Sequence, residues 1–320
     1  MSFAWPDQLI VTRNVPLKPY VTLAAGGPAE RFCRLRTTDE LAEAARIAQS
    51  EGLMVTLLGS GSNVLPADEG VGGIVLLNQA RKIELQPDGQ VLADCGCSFQ
   101  ELFLKATQAG LGGLAFAVGI PGTLGGALVS NAGAYRQNIA DFVEEVEIVE
   151  GGKRRWEPAA WMNFAYRNSR LRENPGEQVV LLRARLRLPL TDSRETYRIA
   201  KENQRQRISK QPAPASAGSF FKNVVDKELA LRIEGLTPGM RESGVIPSGF
   251  LIEAVGMKGH RHGGAMLSAR HANFMLNVGN ATATEIFELA QLAKATVQRR
   301  FGVMLEEEVL YLGRWTSLPA

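Results

Sequence analysis

The residues with the clearest chemical potential lie in two glycine-rich stretches. The first is Leu58-Gly59-Ser60-Gly61-Ser62-Asn63-Val64-Leu65. The second is Gly119-Ile120-Pro121-Gly122-Thr123-Leu124-Gly125-Gly126-Ala127, followed closely by Asn131-Ala132-Gly133-Ala134-Tyr135. Glycine accepts backbone angles that other residues resist, and it lets backbone N–H groups come close to a phosphate. Ser60, Ser62 and Asn63 add short polar contacts. The first stretch follows the apolar run Met54 to Leu58, which is the right context for a phosphate loop. It is not GxGxxG and carries no GK[ST], so a Rossmann or P-loop assignment is excluded. Alone it reads equally well as a tight turn. The second stretch is too rich in small residues to build a core. It makes sense as backbone wrapped around something flat or phosphorylated, or as a long surface loop. Together the two stretches favour a phosphate-bearing cofactor.

Other polar residues could act on a substrate. Arg167, in Tyr166-Arg167-Asn168-Ser169, could hold a carboxylate in a two-pronged grip or simply lie at the surface. Ser219 follows the small-residue turn Ala215 to Gly218 and precedes two phenylalanines. Its hydroxyl is a weak acid that could donate a proton to a carbanion-like acceptor. No GxSxG elbow accompanies it, which disfavours a hydrolase. Glu306-Glu307-Glu308 reads as a solvated charge run; on a strand, Glu307 would face away from its two neighbours. His260, His262 and His271 do not have metal-ligand spacing. Cys95 and Cys97 would share one face of a strand and read as small buried side chains. With Cys33 the cysteines number three, an odd and sparse set that argues against a disulfide framework.

These residues need elements to position them. The spacing predicts a strand over 30–35, a helix opened by Thr38-Asp39-Glu40 and running to Ser50, and strands over 54–58 and 74–77. Strands over 83–85 and 91–93 flank the turn Pro87-Asp88-Gly89, and a helix covers 99–109. Strands over 142–149 and 179–188 follow, the latter with an arginine-bearing wet face (Arg183, Arg185, Arg187) and a dry one. Helices are expected over 196–210 and 284–300, and a closing strand over 303–312. Chain length, 320 residues, allows two or three domains of roughly 100–150 residues each. With 45% hydrophobic and 22% charged residues, the chain can bury a sizeable core. The net charge of +3 is small and spread along the chain, so no nucleic-acid footprint is indicated. No apolar run approaches the ~20 residues of a membrane span, and MSFAWPDQLI does not read as a signal peptide, so the expected location is the cytoplasm.

The ordered set of motifs resembles the UDP-N-acetylenolpyruvoylglucosamine reductases, flavoenzymes of bacterial cell-wall precursor synthesis. The matching segments are Thr22-Leu23 with Gly26-Gly27-Pro28-Ala29, both glycine stretches, Tyr166-Arg167-Asn168-Ser169, and Ala217-Gly218-Ser219-Phe220-Phe221-Lys222-Asn223. Further matches are Leu251-Ile252-Glu253 with Lys258-Gly259, Gly263-Gly264-Ala265, His271-Ala272-Asn273-Phe274, and Phe301-Gly302-Val303 with Leu305-Glu306-Glu307-Glu308-Val309. The resemblance covers about residues 16–313. It implies an α+β chain, with a two-subdomain FAD-binding fold like that of vanillyl-alcohol oxidase followed by a substrate-binding domain. The expected boundaries are 1–78 and 79–195 for the FAD-binding subdomains, 205–303 for the substrate domain and 304–314 for the closing strand. The short chain and its HANF segment resemble the family type without the extra tyrosine-bearing loop.

By resemblance, Gly59, Ser60, Gly61, Ser62 and Asn63 bind FAD, with Gly119, Ile120, Pro121, Gly122, Thr123, Gly125, Gly126, Ala127, Asn131, Gly133 and Ala134. Arg167 touches the enolpyruvyl carboxylate, Ser219 is the general acid, and Glu308 helps to protonate or polarise the substrate. Tyr166, Lys210, Asn223 and His271 bind substrate. NADPH would supply the hydride, through FAD, to the enol ether. Three residues depart from the family pattern: Val224 where proline is usual, Met257 for a leucine, and Leu310 where arginine commonly follows Glu-Val. The other readings are a flavoenzyme of the same cofactor fold acting on an alcohol or sugar, and a non-catalytic nucleotide-sugar binder. The expected partner is a UDP-sugar, with no nucleic acid, no membrane span, and a monomer as a plausible state.

Overall fold

A computed structural model describes residues 5–210 and 216–315, the last two of the first stretch by backbone alone. The chain forms two compact units, neither continuous in sequence. The first comprises the chain up to Val15, Ala29–Gly61 and Val71–Ser209; the second comprises Pro16–Pro28, Ser62–Gly70 and the chain from Lys210.

The first unit holds two sheets. One has the strand order Val11–Pro16, Pro28–Leu35, Ile74–Asn78, Val55–Leu58, and the last three strands run parallel. Parallel neighbours need a crossover connection. The helix Thr38–Ser50 supplies it between the second strand and Val55–Leu58, burying Leu41, Ala44, Ala45, Ile47 and Ala48. Its cap is Thr37, one residue before the expected start: Thr37 and Glu40 form a reciprocal capping box. Thr38 is thereby freed to donate its hydroxyl to Asp94 at 2.8 Å.

The other sheet is antiparallel, in the order Lys153–Pro158, Val143–Glu150, Val180–Arg187, Gln90–Asp94, Ile83–Leu85. The expected wet face of Val180–Arg187 is a face of paired charge. Arg183 and Arg154 both bond Glu147, Arg185 pairs with Glu145, and Arg187 with Glu144 and Asp88. The ring of Trp156 lies 5.6 Å from the Arg183 guanidinium and 4.7 Å from that of Arg185. Side chains directly across a sheet meet, so alternation along one strand cannot tell water from an opposite charge on the next. Cys95 and Cys97 lie just past the strand Gln90–Asp94, free and buried. Burial pushes the Cys97 thiol up to about 12.

In the second unit the sheet order is Ser216–Ser219, Phe274–Asn277, Ala265–Leu267, Arg261–His262, all antiparallel. The helix Ala283–Phe301 packs Ile286, Leu289, Ala290, Ala293 and Val297 into its core. The Asp68 carboxylate accepts the first helical N–H groups, from Ala283 at 2.9 Å and Thr284 at 2.8 Å. The closing strand is shorter than expected, Leu310–Leu312, parallel to Val64–Pro66. Residues 306–308 instead run against 220–222, so the segment changes partner at Val309 and no single ladder forms.

Candidate active site

The first unit contributes the first glycine stretch as far as Gly61, the second stretch, and Arg167. Gly59 and Thr123 bring the two stretches together: a Cβ on Gly59 would lie 2.6 Å from Thr123 Oγ1, closer than any side chain could sit. Gly122 has φ +124°, open only to glycine. Thr123 caps the short helix Leu124–Val129 by accepting the Gly126 N–H at 3.3 Å.

Tyr166 and Arg167 form the tip of a tight turn closed by two bonds of 3.1 Å between Ala165 and Asn168. Arg167 has φ +53°, a conformation that costs a side-chain-bearing residue about 1–3 kcal/mol and that concentrates at functional sites. Neighbours enforce it. The buried Asn131 donates from Nδ2 to Ala165 O at 2.8 Å, and the fully buried Ser169 donates to Val129 O at 2.7 Å. Arg167 Nη2 donates to Gly133 O at 2.7 Å. Asn131 and Gly133 therefore anchor the arginine turn.

Arg207, which carried no role in the sequence reading, belongs to the same cluster. Its Nη1 donates to Gly119 O at 3.2 Å, and its Nε is buried with no hydrogen-bond partner. Burial pushes its guanidinium down from the ordinary arginine range; the Tyr135 hydroxyl acts the other way, and the charge of Arg167 adds to the downward push. A buried arginine with an orphaned donor and a second arginine's charge acting on it suits an anionic ligand. Nothing in its own segment of the sequence singled out Arg207. A cradle that a Cβ would fill, together with this orphaned donor, fits a phosphate-bearing cofactor and an acidic substrate.

The second unit contributes Ser219 and Glu308 and brings them together. Ser219 ends its strand opposite Phe274. The next residue, Phe220, accepts the Glu308 N–H at 2.8 Å, and Lys222 N–H donates to Glu306 O at 2.8 Å. The three glutamates thereby part company. Glu306 reaches Lys222 at 3.1 Å and is largely exposed. Glu307 is largely buried, with Lys294 Nζ 2.9 Å from both carboxylate oxygens and Gln291 at 3.2 Å. Glu308, half-buried, sits beside the Ser219 segment.

Asn63 falls in this unit. Its Nδ2 donates to Glu308 O at 3.0 Å, and its own carbonyl accepts the Leu310 N–H at 3.0 Å. Asn223 Oδ1 accepts the Ser248 N–H at 3.4 Å. His271 Nδ1 accepts the Asn273 N–H at 3.3 Å, and its ring meets Phe274 edge-on at 4.9 Å. The Lys210 side chain lies outside the described residues. Val224 pairs with Ile246, and Leu310 with Val64. Among the described residues no group of His, Cys, Asp and Glu could hold a metal ion.

Residues 29–153 match the family model of an FAD binding domain. Residues 209–312 match that of the UDP-N-acetylenolpyruvoylglucosamine reductase C-terminal domain. The reductase of Synechococcus sp. strain JA-3-3Ab is 38% identical over 311 residues, covering 95% of this chain and 91% of that protein. That of Caldicellulosiruptor bescii is 37% identical with the same coverage. The crystal structure of the reductase from Thermus caldophilus aligns with a TM-score of 0.75 at 33% identity, over 95% of this chain and 99% of that one. With Ser219 and Glu308 on neighbouring segments of one unit, and an arginine cluster beside the glycine cradle in the other, the chain belongs to the UDP-N-acetylenolpyruvoylglucosamine reductase family.

Proposed function

We propose that this protein reduces the enolpyruvyl group of UDP-N-acetylglucosamine enolpyruvate to give UDP-N-acetylmuramate. The Glu308 N–H bond to Phe220 O is the observation that supports the reading, because it ties the backbone of Glu308 to the residue next to Ser219 in a chain of this family. When bound, FAD supplies the hydride, taken from NADPH.

The chain's own residues supply position and charge. Arg167, held at φ +53° by its neighbours, grips the substrate carboxylate and stabilises negative charge that builds up on it. Ser219 delivers the proton to the carbon next to that carboxylate, and Glu308 supports the delivery. Gly59, Ser60, Gly61 and the 119–127 stretch hold the FAD pyrophosphate and line the flavin. Tyr166, Lys210, Asn223 and His271 bind the rest of the sugar nucleotide. The two FAD-binding subdomains span 1–78 and 79–195. The location is the cytoplasm, where nucleotide sugars and NADPH are found.

Stopped-flow tests the assignment. In Ser219→Ala, flavin reduction by NADPH should stay near the wild-type rate while product formation stops. Equal loss of both half-reactions would sink the assignment.

A further inference from the structure

The strand that carries Ser219 is irregular. Its register with Phe274–Asn277 shifts between Ser216 and Ser219, and Gly218 has φ +75°. Past Ser219 a side chain takes over part of the work of the ladder. Asn273, 2% exposed, accepts the Phe221 N–H on Oδ1 at 2.9 Å and donates from Nδ2 to Phe221 O at 2.8 Å. Its main-chain carbonyl accepts the Phe220 N–H at 2.7 Å. A primary amide can answer both backbone groups of one residue, as a facing strand residue would.

The clamped segment is the one on which Glu308 rests. Phe220 O accepts the Glu308 N–H, and Lys222 N–H binds Glu306 O. Phe220 and Phe221, both buried, pack edge-to-face at 5.2 Å. Through these bonds Asn273 fixes the backbone segment that follows Ser219 and to which Glu308 is tied. We propose that Asn273 is a positioning residue for proton delivery: its amide sets the separation of the Ser219 hydroxyl and the Glu308 carboxylate. The proposal rests on the roles given above to Ser219 and Glu308. A misplacement of about 1 Å costs on the order of 10²-fold in rate, so the clamp has a measurable consequence.

The test follows FAD-loaded Asn273→Ala and Asn273→Asp through single turnovers. Asn273→Asp keeps the shape and the acceptor for the Phe221 N–H but sets an oxygen against Phe221 O. Flavin reduction by NADPH should stay within about twofold of wild type, while product formation from pre-reduced enzyme slows by about 10²-fold. The solvent deuterium effect on product formation should rise, because delivery of the proton becomes limiting; KM for the sugar nucleotide should change little. An unchanged rate of product formation overturns the proposal, as does a slowed rate without a larger solvent effect. Loss of bound FAD in both variants also overturns it, since Asn273 would then support the unit as a whole. Failure of the underlying reading looks different: Ser219→Ala alone would form product at the wild-type rate.

Discussion

Replacing Glu306, Glu307 and Glu308 one at a time by glutamine should give three different proteins. Glu307 and Lys294 have side chains only 15% and 17% exposed, with Nζ 2.9 Å from both carboxylate oxygens. Glutamine keeps one acceptor for Lys294 and Gln291 but leaves the ammonium without its counter-charge. A fully buried pair broken on one side costs about 3–5 kcal/mol and an exposed pair about 0–1. The slight exposure here places Glu307→Gln at about 2–3 kcal/mol. For a unit of this size that lowers Tm by roughly 10 °C. The specific activity of the surviving folded enzyme should stay close to wild type. Glu306 is 72% exposed, so Glu306→Gln should change stability by less than about 0.5 kcal/mol and leave turnover unchanged. Glu308→Gln should lose about 10²–10³-fold in kcat, within the range for removing a group that assists proton transfer. The assay pairs calorimetry with steady-state NADPH oxidation on the three purified, FAD-loaded variants. If Glu307→Gln keeps its Tm and loses turnover while Glu308→Gln turns over normally, the acid is one residue away from where it is placed here.

Two other outcomes follow from the first unit. Gly59→Ala puts a Cβ 2.6 Å from Thr123 Oγ1 and pushes the two glycine stretches apart. The variant should purify with little bound flavin, read as a fall in the ratio of visible to ultraviolet absorbance; full flavin content would show that the approach of the stretches is dispensable. Burial by itself would raise the Glu147 carboxyl, but the hydrogen bonds from Arg154 and Arg183 outweigh it and hold the group below the usual carboxylate range. A depressed carboxylate contributes stability above its unfolded value of about 4.3, and that contribution is lost as pH falls through the lower folded value. Wild type should therefore show a steeper fall in urea midpoint in acid than Glu147→Gln, and equal slopes would refute the account.

Much of the architecture was legible without coordinates, because periodicity and capping are local. The helices Thr38–Ser50 and Phe99–Gln108, the hairpin around Asp88 and the strand Val180–Arg187 lie within a few residues of their expected limits. The glycine stretches favoured a close backbone approach over a plain turn or surface loop, because small residues run on for so long there. The ordered motifs then carried the family. Apart from the helix cap, which a local Thr37–Glu40 capping box moves by one residue, expectation and structure part where a distant partner intervenes. The arginine face of Val180–Arg187 looked wet because Glu147, Glu145 and Glu144 lie on another strand. The closing strand looked continuous because its first half answers to Phe220–Lys222 and its second to Val64–Pro66, segments far apart in the chain.

For the site, the sequence by itself determined the residue types: a cradle of glycines, an arginine in an aromatic turn, a serine after small residues, and a triplet of glutamates from which the resemblance alone singled out Glu308. Only the tertiary structure gave each of the three its surroundings. Lys222 takes Glu306 and Lys294 takes Glu307, while the backbone of Glu308 is tied to Phe220 and Asn63. It also gave Arg207 and Asn273 partners that their own segments do not predict: Gly119 for Arg207, and the Phe221 backbone for the Asn273 amide. The physical reason is that a charge or an amide acquires a role from what faces it within hydrogen-bond distance. Here that neighbour is tens of residues away along the chain.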